Sequence, residues 1–116
     1  MSLTLIGLDE TVGFLDPARK QSPERFRLLQ NVPNPFNPST RIDYSVRHVG
    51  PIQIVIFDIL GHHIRTLVDG NQTAGEYTVI WDGTDETGHP VPSGLYFYAL
   101  RGETSTLLTR KTILLR

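Results

Sequence analysis

The sequence predicts an all-β protein, an antiparallel β-sandwich of about seven strands, and three observations carry that prediction. Short segments rich in Val, Ile, Tyr and Phe recur at spacings of roughly 10 residues, separated by Gly, Asn and Asp clusters. No segment shows apolar residues at the 3.6-residue period of an amphipathic helix. The run Pro33-Asn34-Pro35-Phe36-Asn37-Pro38-Ser39-Thr40 places three prolines within six positions, which removes three backbone donors. Such a run is excluded from helix interiors and central strands.

Each element follows from local chemistry. Residues that precede proline are pushed towards extended geometry, so the run 33–40 predicts a stiff, extended lead-in with Phe36 as its one large apolar plug. Immediately afterwards the chain alternates. Ile42, Tyr44 and Val46 fall on one face and Arg41, Asp43, Ser45 and Arg47 on the other, a half-buried strand. Residues 52–58, Ile-Gln-Ile-Val-Ile-Phe-Asp, are apolar on both faces and predict a central strand covered on both sides. Gly61 turns the chain, residues 64–68 return as its partner, and Asp69-Gly70-Asn71 closes that strand. In residues 76–81, Tyr77, Val79 and Trp81 share a face. A polar loop over 82–90 follows, and residues 94–101 are dense in strand formers. Gly102-Glu103-Thr104 turns the chain into a last strand over 107–115. The expected core comprises Tyr44, Ile54, Ile56, Phe57, Tyr77, Val79, Trp81, Tyr96 and Tyr98, with the aromatic rings dominating its energetics.

Composition narrows the function classes. A chain of 116 residues has room for one domain, and 39% hydrophobic with 20% charged residues is ordinary for a globular protein. A formal charge of −1 supplies no reason to expect nucleic acid as partner. No apolar run approaches the roughly 18 residues that a membrane helix needs, so direct membrane insertion is not expected. Zero cysteines exclude disulfides and thiolate metal sites. Residues 1–25 lack a sustained period, and 16–24 are polar and proline-punctuated. The expected division is therefore a linker or tail of a preceding domain over 1–25, including the apolar cluster Leu3, Leu5, Ile6 and Leu8, and the sandwich over 26–116. Nothing in the sequence sets the oligomeric state.

Candidate chemistry is sparse. His62 and His63 are adjacent and point to opposite faces of a strand, and with His48 and His89 they form no His-x-His pair or metal-binding helix. The loop residues Asp82, Thr84, Asp85 and Glu86 concentrate oxygen ligands of the kind calcium takes, without the spacing of a helix–loop–helix calcium site. Asp, Thr and Gly are also what tight turns use, and the turn reading is favoured. Ser39, Ser45, Ser93 and Ser105 lie outside any Gly-x-Ser-x-Gly motif, and no glycine-rich phosphate loop is present. Neither an enzyme nor a cofactor site is expected.

Five segments, in order, carry a resemblance. They are Leu29-Gln30-Asn31-Val32-Pro33-Asn34-Pro35-Phe36-Asn37-Pro38-Ser39-Thr40; residues 54–61, Ile-Val-Ile-Phe-Asp-Ile-Leu-Gly; Ala74-Gly75-Glu76-Tyr77 with Trp81-Asp82-Gly83; Pro92-Ser93-Gly94-Leu95-Tyr96-Phe97-Tyr98; and the terminal Arg110-Lys111-Thr112-Ile113-Leu114-Leu115-Arg116. Over about residues 26–116 the chain resembles the type A C-terminal sorting domains of the type IX secretion system.

That resemblance implies an immunoglobulin-like sandwich acting as an address tag on an exported Gram-negative protein. Such a tag is read by the outer-membrane secretion machinery after passage through the periplasm, and a surface sortase commonly removes it. The cargo, with its own export signal, would lie upstream, and cleavage would fall within 16–24. Two elements are expected to be read: Pro33, Asn34, Pro35, Phe36, Asn37 and Pro38, and the terminal Lys111, Leu114, Leu115 and Arg116. Removing residues 114–116 is accordingly expected to block export and leave folding largely intact. Trp81-Asp82-Gly83 and residues 88–96 are also similar to the immunoglobulin-like module of flagellar hook-capping proteins, which implies a structural assembly role. A carbohydrate-binding accessory module is a third reading and requires exposed coplanar aromatic rings.

Overall fold

A computed structural model describes residues 26–103 and 105–116; the expectations for residues 1–25 lie outside the described residues. Seven strands form two antiparallel sheets: β1 (Phe26–Leu28), β2 (Thr40–Val46), β3 (Gly50–Phe57), β4 (His63–Gln72), β5 (Gly75–Trp81), β6 (Gly94–Arg101) and β7 (Thr106–Leu114). One sheet has the order β1-β2-β5 and the other β4-β3-β6-β7. The architecture is the all-β antiparallel sandwich that the strand rhythm predicts, of the immunoglobulin-like kind that the resemblance implies.

Alternation builds the core. Ile42, Tyr44 and Val46 of β2 face Ile52, Ile54 and Ile56 of β3 and Tyr96, Tyr98 and Leu100 of β6, and all are buried. Trp81 is fully buried at the end of β5, between Phe36 and Tyr96, with ring centroids 5.4 and 5.3 Å away. At the opposite end of the sandwich, the Tyr44 and Tyr77 rings stack at 5.3 Å, and the Tyr44 hydroxyl donates to Gln72 Oε1 at 2.7 Å, joining the two sheets. Tyr77 and Val79 are partly buried against this core.

Four expectations need correction. Phe57 is half-buried and outside the core; it follows Ile56, so it points to the far face of the sheet, where its ring meets His63 edge-on at 6.4 Å. The strand β3 is central in its sheet, yet its outer face, which carries Val55 and Phe57, is covered by no further layer of strands among the described residues. Large neighbours on the same face shield Val55 instead: Phe57 and Phe97 are paired, as are Val55 and Ala99. The strand β4 does not stop at Asp69-Gly70-Asn71. It continues to Gln72, because β3 begins at Gly50 and supplies ladder partners as far as the pair Gly50↔Gln72. Finally, the proline-rich run is bent rather than extended: Val32 and Arg41 exchange backbone hydrogen bonds of 2.9 and 2.8 Å, folding the run into a closed loop. The peptide bonds before Pro33, Pro35 and Pro38 are all cis.

Candidate functional site

Strand directions gather most of the distinctive sequence segments at one end of the sandwich. The strand β2 leaves this end at Thr40, β5 arrives at Trp81, β6 leaves at Gly94, and β7 arrives at Leu114. The loop over 31–39, the turn over 58–62, Trp81-Asp82-Gly83, residues 92–96 and the terminal residues therefore meet. The segment Ala74-Gly75-Glu76-Tyr77 lies at the opposite end, where Gly75 pairs with Val46.

The loop is held from within by Asn31. Its side chain is buried, and Nδ2 donates towards Pro33 O (3.0 Å), Thr40 Oγ1 (2.9 Å) and Thr112 Oγ1 (2.5 Å). Its backbone N–H donates to the Tyr98 hydroxyl at 2.8 Å, and that hydroxyl donates to Leu29 O at 2.6 Å. Burial pushes the Tyr98 phenol up to about 12, against the opposing pull of the Asn31 N–H and Arg110. The phenol therefore stays protonated and keeps both bonds. Asn31, Thr40 and Thr112 are buried polar side chains, and each is satisfied, as burial requires. Sequence reading placed Asn31 in a motif without a role; its two-proline, two-asparagine neighbourhood was the available signal.

The loop then docks on the last strand. Phe36 N–H donates to Ile113 O and Leu115 N–H to Phe36 O, each at 3.0 Å, a short parallel bridge on the outer edge of β7. Asn34 Oδ1 accepts from Ile113 N–H at 3.0 Å, and Gln30 Nε2 donates to Lys111 O at 2.8 Å. This covers part of an edge strand that would otherwise offer unpaired backbone groups. Arg116 closes the end. Its backbone N–H donates to Ser93 Oγ (2.8 Å), Nε to Val91 O (2.6 Å) and a terminal guanidinium nitrogen to Gly83 O (2.5 Å). Gly83 has a φ of +75°, and a Cβ there would lie 2.8 Å from that guanidinium nitrogen and 3.0 Å from Pro38 O. Only glycine fits the close approach of these three segments.

Among the residues expected to be read, the structure separates two groups. Phe36 and Leu114 are fully buried and belong to the core, so they present no surface to a partner. Pro33, Asn34, Pro35, Asn37, Pro38, Lys111 and Leu115 are exposed, and Arg116 is exposed apart from its engaged guanidinium. Removing residues 114–116 would therefore remove a core side chain and a three-bond clamp, which corrects the expectation that folding survives this deletion.

The candidate calcium residues are occupied by turn geometry. Asp82 Oδ1 accepts from the Thr84 hydroxyl (2.5 Å) and N–H (3.2 Å), and Arg65 lies 3.6 Å away. Asp85 Oδ1 accepts from the Thr87 hydroxyl (2.8 Å) and from the N–H groups of Thr87 and His89 (3.0 Å each). Those hydroxyl bonds, with Arg65 for Asp82 and backbone N–H groups for Asp85, hold both carboxyls below the usual carboxylate range. Thr84 Oγ1 also accepts from Arg65, and Glu86 Oε1 accepts from Thr66 N–H at 2.8 Å. The side chains of Asp82, Thr84 and Glu86 tie the 82–90 loop to β4, while that of Asp85 bonds within the loop; among the described residues no three His, Cys, Asp or Glu side chains form a metal-holding group. The turn before β4 is built likewise. Asp58 Oδ1 accepts from Leu60 N–H (2.9 Å) and His62 N–H (2.8 Å), and Gly61 supplies a φ of +83°.

An immunoglobulin-like module with one elaborately closed end is thus the class that fold and site define. The family model that matches is the FlgD Ig-like domain, over residues 41–105, and the chain belongs to that family. Comparison with curated proteins gives no match. Among solved structures, dimeric latent PorU from Porphyromonas gingivalis is similar, with a TM-score of 0.63 and 16% identity over 77% of this chain and 9% of that one. FlgD from P. aeruginosa is similar with a TM-score of 0.52 and 16% identity, over 77% of this chain and 64% of that one. The chain thus spans less than two thirds of either protein's length, and these likenesses bear on the fold.

Proposed function

We propose that this module is a passive sorting tag: a folded label on an exported bacterial protein, read by outer-membrane secretion machinery of the type IX kind and without turnover of its own. The observation that carries the reading is the packing of the loop over 31–39 on β7 and the terminal residues. Both segments lie outside the family match of 41–105, both were singled out by the sorting-domain resemblance, and they bond to each other through Phe36, Asn34 and Asn31. A tag recognised as a surface needs a compact, self-sufficient fold with distinctive elements brought together at one place, and this end supplies that. Cleavage by a surface sortase would act upstream of β1.

The test is a fusion of residues 26–116 to a periplasmic reporter in a host that uses this route. The expected result is reporter at the cell surface or in the medium; reporter retained in the periplasm refutes the reading. A second reading, a structural assembly module, is favoured by the family match itself. Retention in the periplasm together with self-association or incorporation into a surface appendage is the outcome it requires.

A further inference from the structure

At the closed end, the turn over 58–62 and the segment 91–96 enclose an apolar cleft of about 400 Å³, walled by Ile59, Ile64, Val91, Pro92, Leu95 and Tyr96. The apolar surface continues out of it. Leu95 pairs directly with Ile113 across β6 and β7, and Leu115 follows on the same side of the chain. Ile59, Leu95, Ile113 and Leu115 are 65, 37, 40 and 52% exposed, an unusual gathering of large apolar groups on one small end. The charges on the terminal strand beside it have one sign. Residues 105–116 contain Arg110, Lys111 and Arg116 and no acidic residue. Lys111 stands beside Phe97 on the outer sheet face, two register pairs from Leu95 and Ile113 and so the next pair on that face. Among the described residues none of these three cations is in an ion pair, and the acid at the cleft, Asp58, is engaged by Leu60, His62 and its own turn.

We infer that this cleft and the Leu95–Ile113 surface beside it dock an extended protein segment that inserts an apolar side chain and places a carboxylate against Lys111. The inference rests on the sorting reading and names the chemistry of the partner that would read the tag. Apolar anchors seated in a pocket supply affinity, and charge complementarity at the rim supplies register and on-rate. The concavity favours a protein segment over an anionic lipid surface, since a bilayer cannot fill a walled cleft beside a strand edge.

The test uses the full 116-residue chain, ¹⁵N-labelled, titrated with a synthetic decapeptide alternating Leu and Glu, with Leu/Lys and Leu/Gln peptides and phosphatidylglycerol vesicles as comparisons. Saturable amide shifts confined to Ile59, Leu95, Lys111, Ile113 and Leu115 are expected with the Leu/Glu peptide alone. Ile113→Glu and Lys111→Glu, both surface changes, are each expected to weaken that binding by about tenfold or more at an unchanged melting temperature. Equal shifts with the Leu/Lys peptide, shifts scattered over the molecule, or binding only to vesicles overturn the inference. In the fusion assay, normal export of a folded Ile113→Glu module overturns the inference and leaves the sorting reading in place; retention of the unmodified fusion refutes the reading itself.

Discussion

Phe36 is where the fold and the proline-rich loop become one problem, and replacing it with alanine separates two accounts of the motif. The ring is buried 5.4 Å from Trp81, and its own backbone bridges Ile113 and Leu115. Truncating a buried phenylalanine costs about 3–5 kcal/mol through lost transfer energy and the cavity left behind. That is a large fraction of the roughly 5–15 kcal/mol that stabilises a domain. With a urea dependence of about 1–3 kcal/mol per molar for a chain of this size, the unfolding midpoint should fall by about 2 M. The fluorescence of Trp81, the one tryptophan in the chain, reports the transition from the very contact being removed. Phe36→Leu, which keeps most of the volume, should recover the larger part of the loss. A midpoint shift for Phe36→Ala below about 0.5 M, worth roughly 1 kcal/mol, would refute the claim that the loop is plugged into the core.

Asn31→Ala should cost at least about 3 kcal/mol, because the three groups it joins at Pro33, Thr40 and Thr112 each lose a partner at about 1–3 kcal/mol. A double-mutant cycle with Thr112→Val should show a coupling of at least about 1 kcal/mol, and strict additivity would refute the shared network. Deleting residues 114–116 should lower the melting temperature markedly, since loss of a buried leucine alone costs about 2–5 kcal/mol; a calorimetric melt unchanged from the full chain would refute the clamp. Stability should also fall in acid. Asp58, Asp82 and Asp85 have folded-state pKa values lowered from the ordinary one, so their contribution is complete above the unfolded value near 4 and is lost as pH falls through the lower folded values. For Asp58, desolvation acts upward and is outweighed by the N–H groups of His62 and Leu60 and by the His62 ring. Melting temperature followed from pH 7 into strong acid should drop below about pH 4, less steeply in Asp58→Asn and Asp85→Asn, and a flat profile would refute the assignment.

The elements legible in the sequence were those specified by neighbouring residues. The strands β2, β5 and β6 declare themselves by alternation or by density of strand formers, because one face of each meets the core. Tyr44, Ile54, Ile56, Trp81, Tyr96 and Tyr98 are buried in that core. The failures have a common cause in pairing across long separations. Asp69-Gly70-Asn71 has turn composition and still lies in a ladder, because Pro51 and Ile52 stand opposite. Apolar residues on both faces of β3 suggested cover on both sides, but Val55 and Phe57 serve a sheet face shielded by its own cross-strand neighbours. β1 is three residues long, too short to announce a period, and exists because Phe26, Arg27 and Leu28 pair with Val46, Ser45 and Tyr44. At the site, the proline-rich run stood out by its own residues and the terminal segment through the sorting-domain resemblance, and neither pointed to the bonds between them. Asn31 and Thr112 are 81 positions apart, and no local rule points from one to the other.

That separation bears on what a reader of this module can recognise. The terminal residues take their arrangement from elsewhere in the chain: Ile113 and Leu115 from Phe36 and Asn34, Arg116 from Gly83, Val91 and Ser93. In an unfolded chain, Leu114 would be as available to a partner as Leu115, and nothing would favour one face of the strand over the other. Folding buries the first and presents the second beside Ile113 and Leu95, so the outward pattern exists only after residues far apart in sequence have met. The entropy of bringing them together is offset by burial in the shared sandwich core, to which the terminal strand contributes Leu114. A partner specific for that outward pattern therefore distinguishes folded modules from unfolded ones without a separate check. Surface changes that leave the core intact, such as Ile113→Glu, and core changes that leave the surface residues in place, such as Phe36→Ala, should then impair recognition by different routes, the first at full stability and the second in proportion to the unfolded fraction.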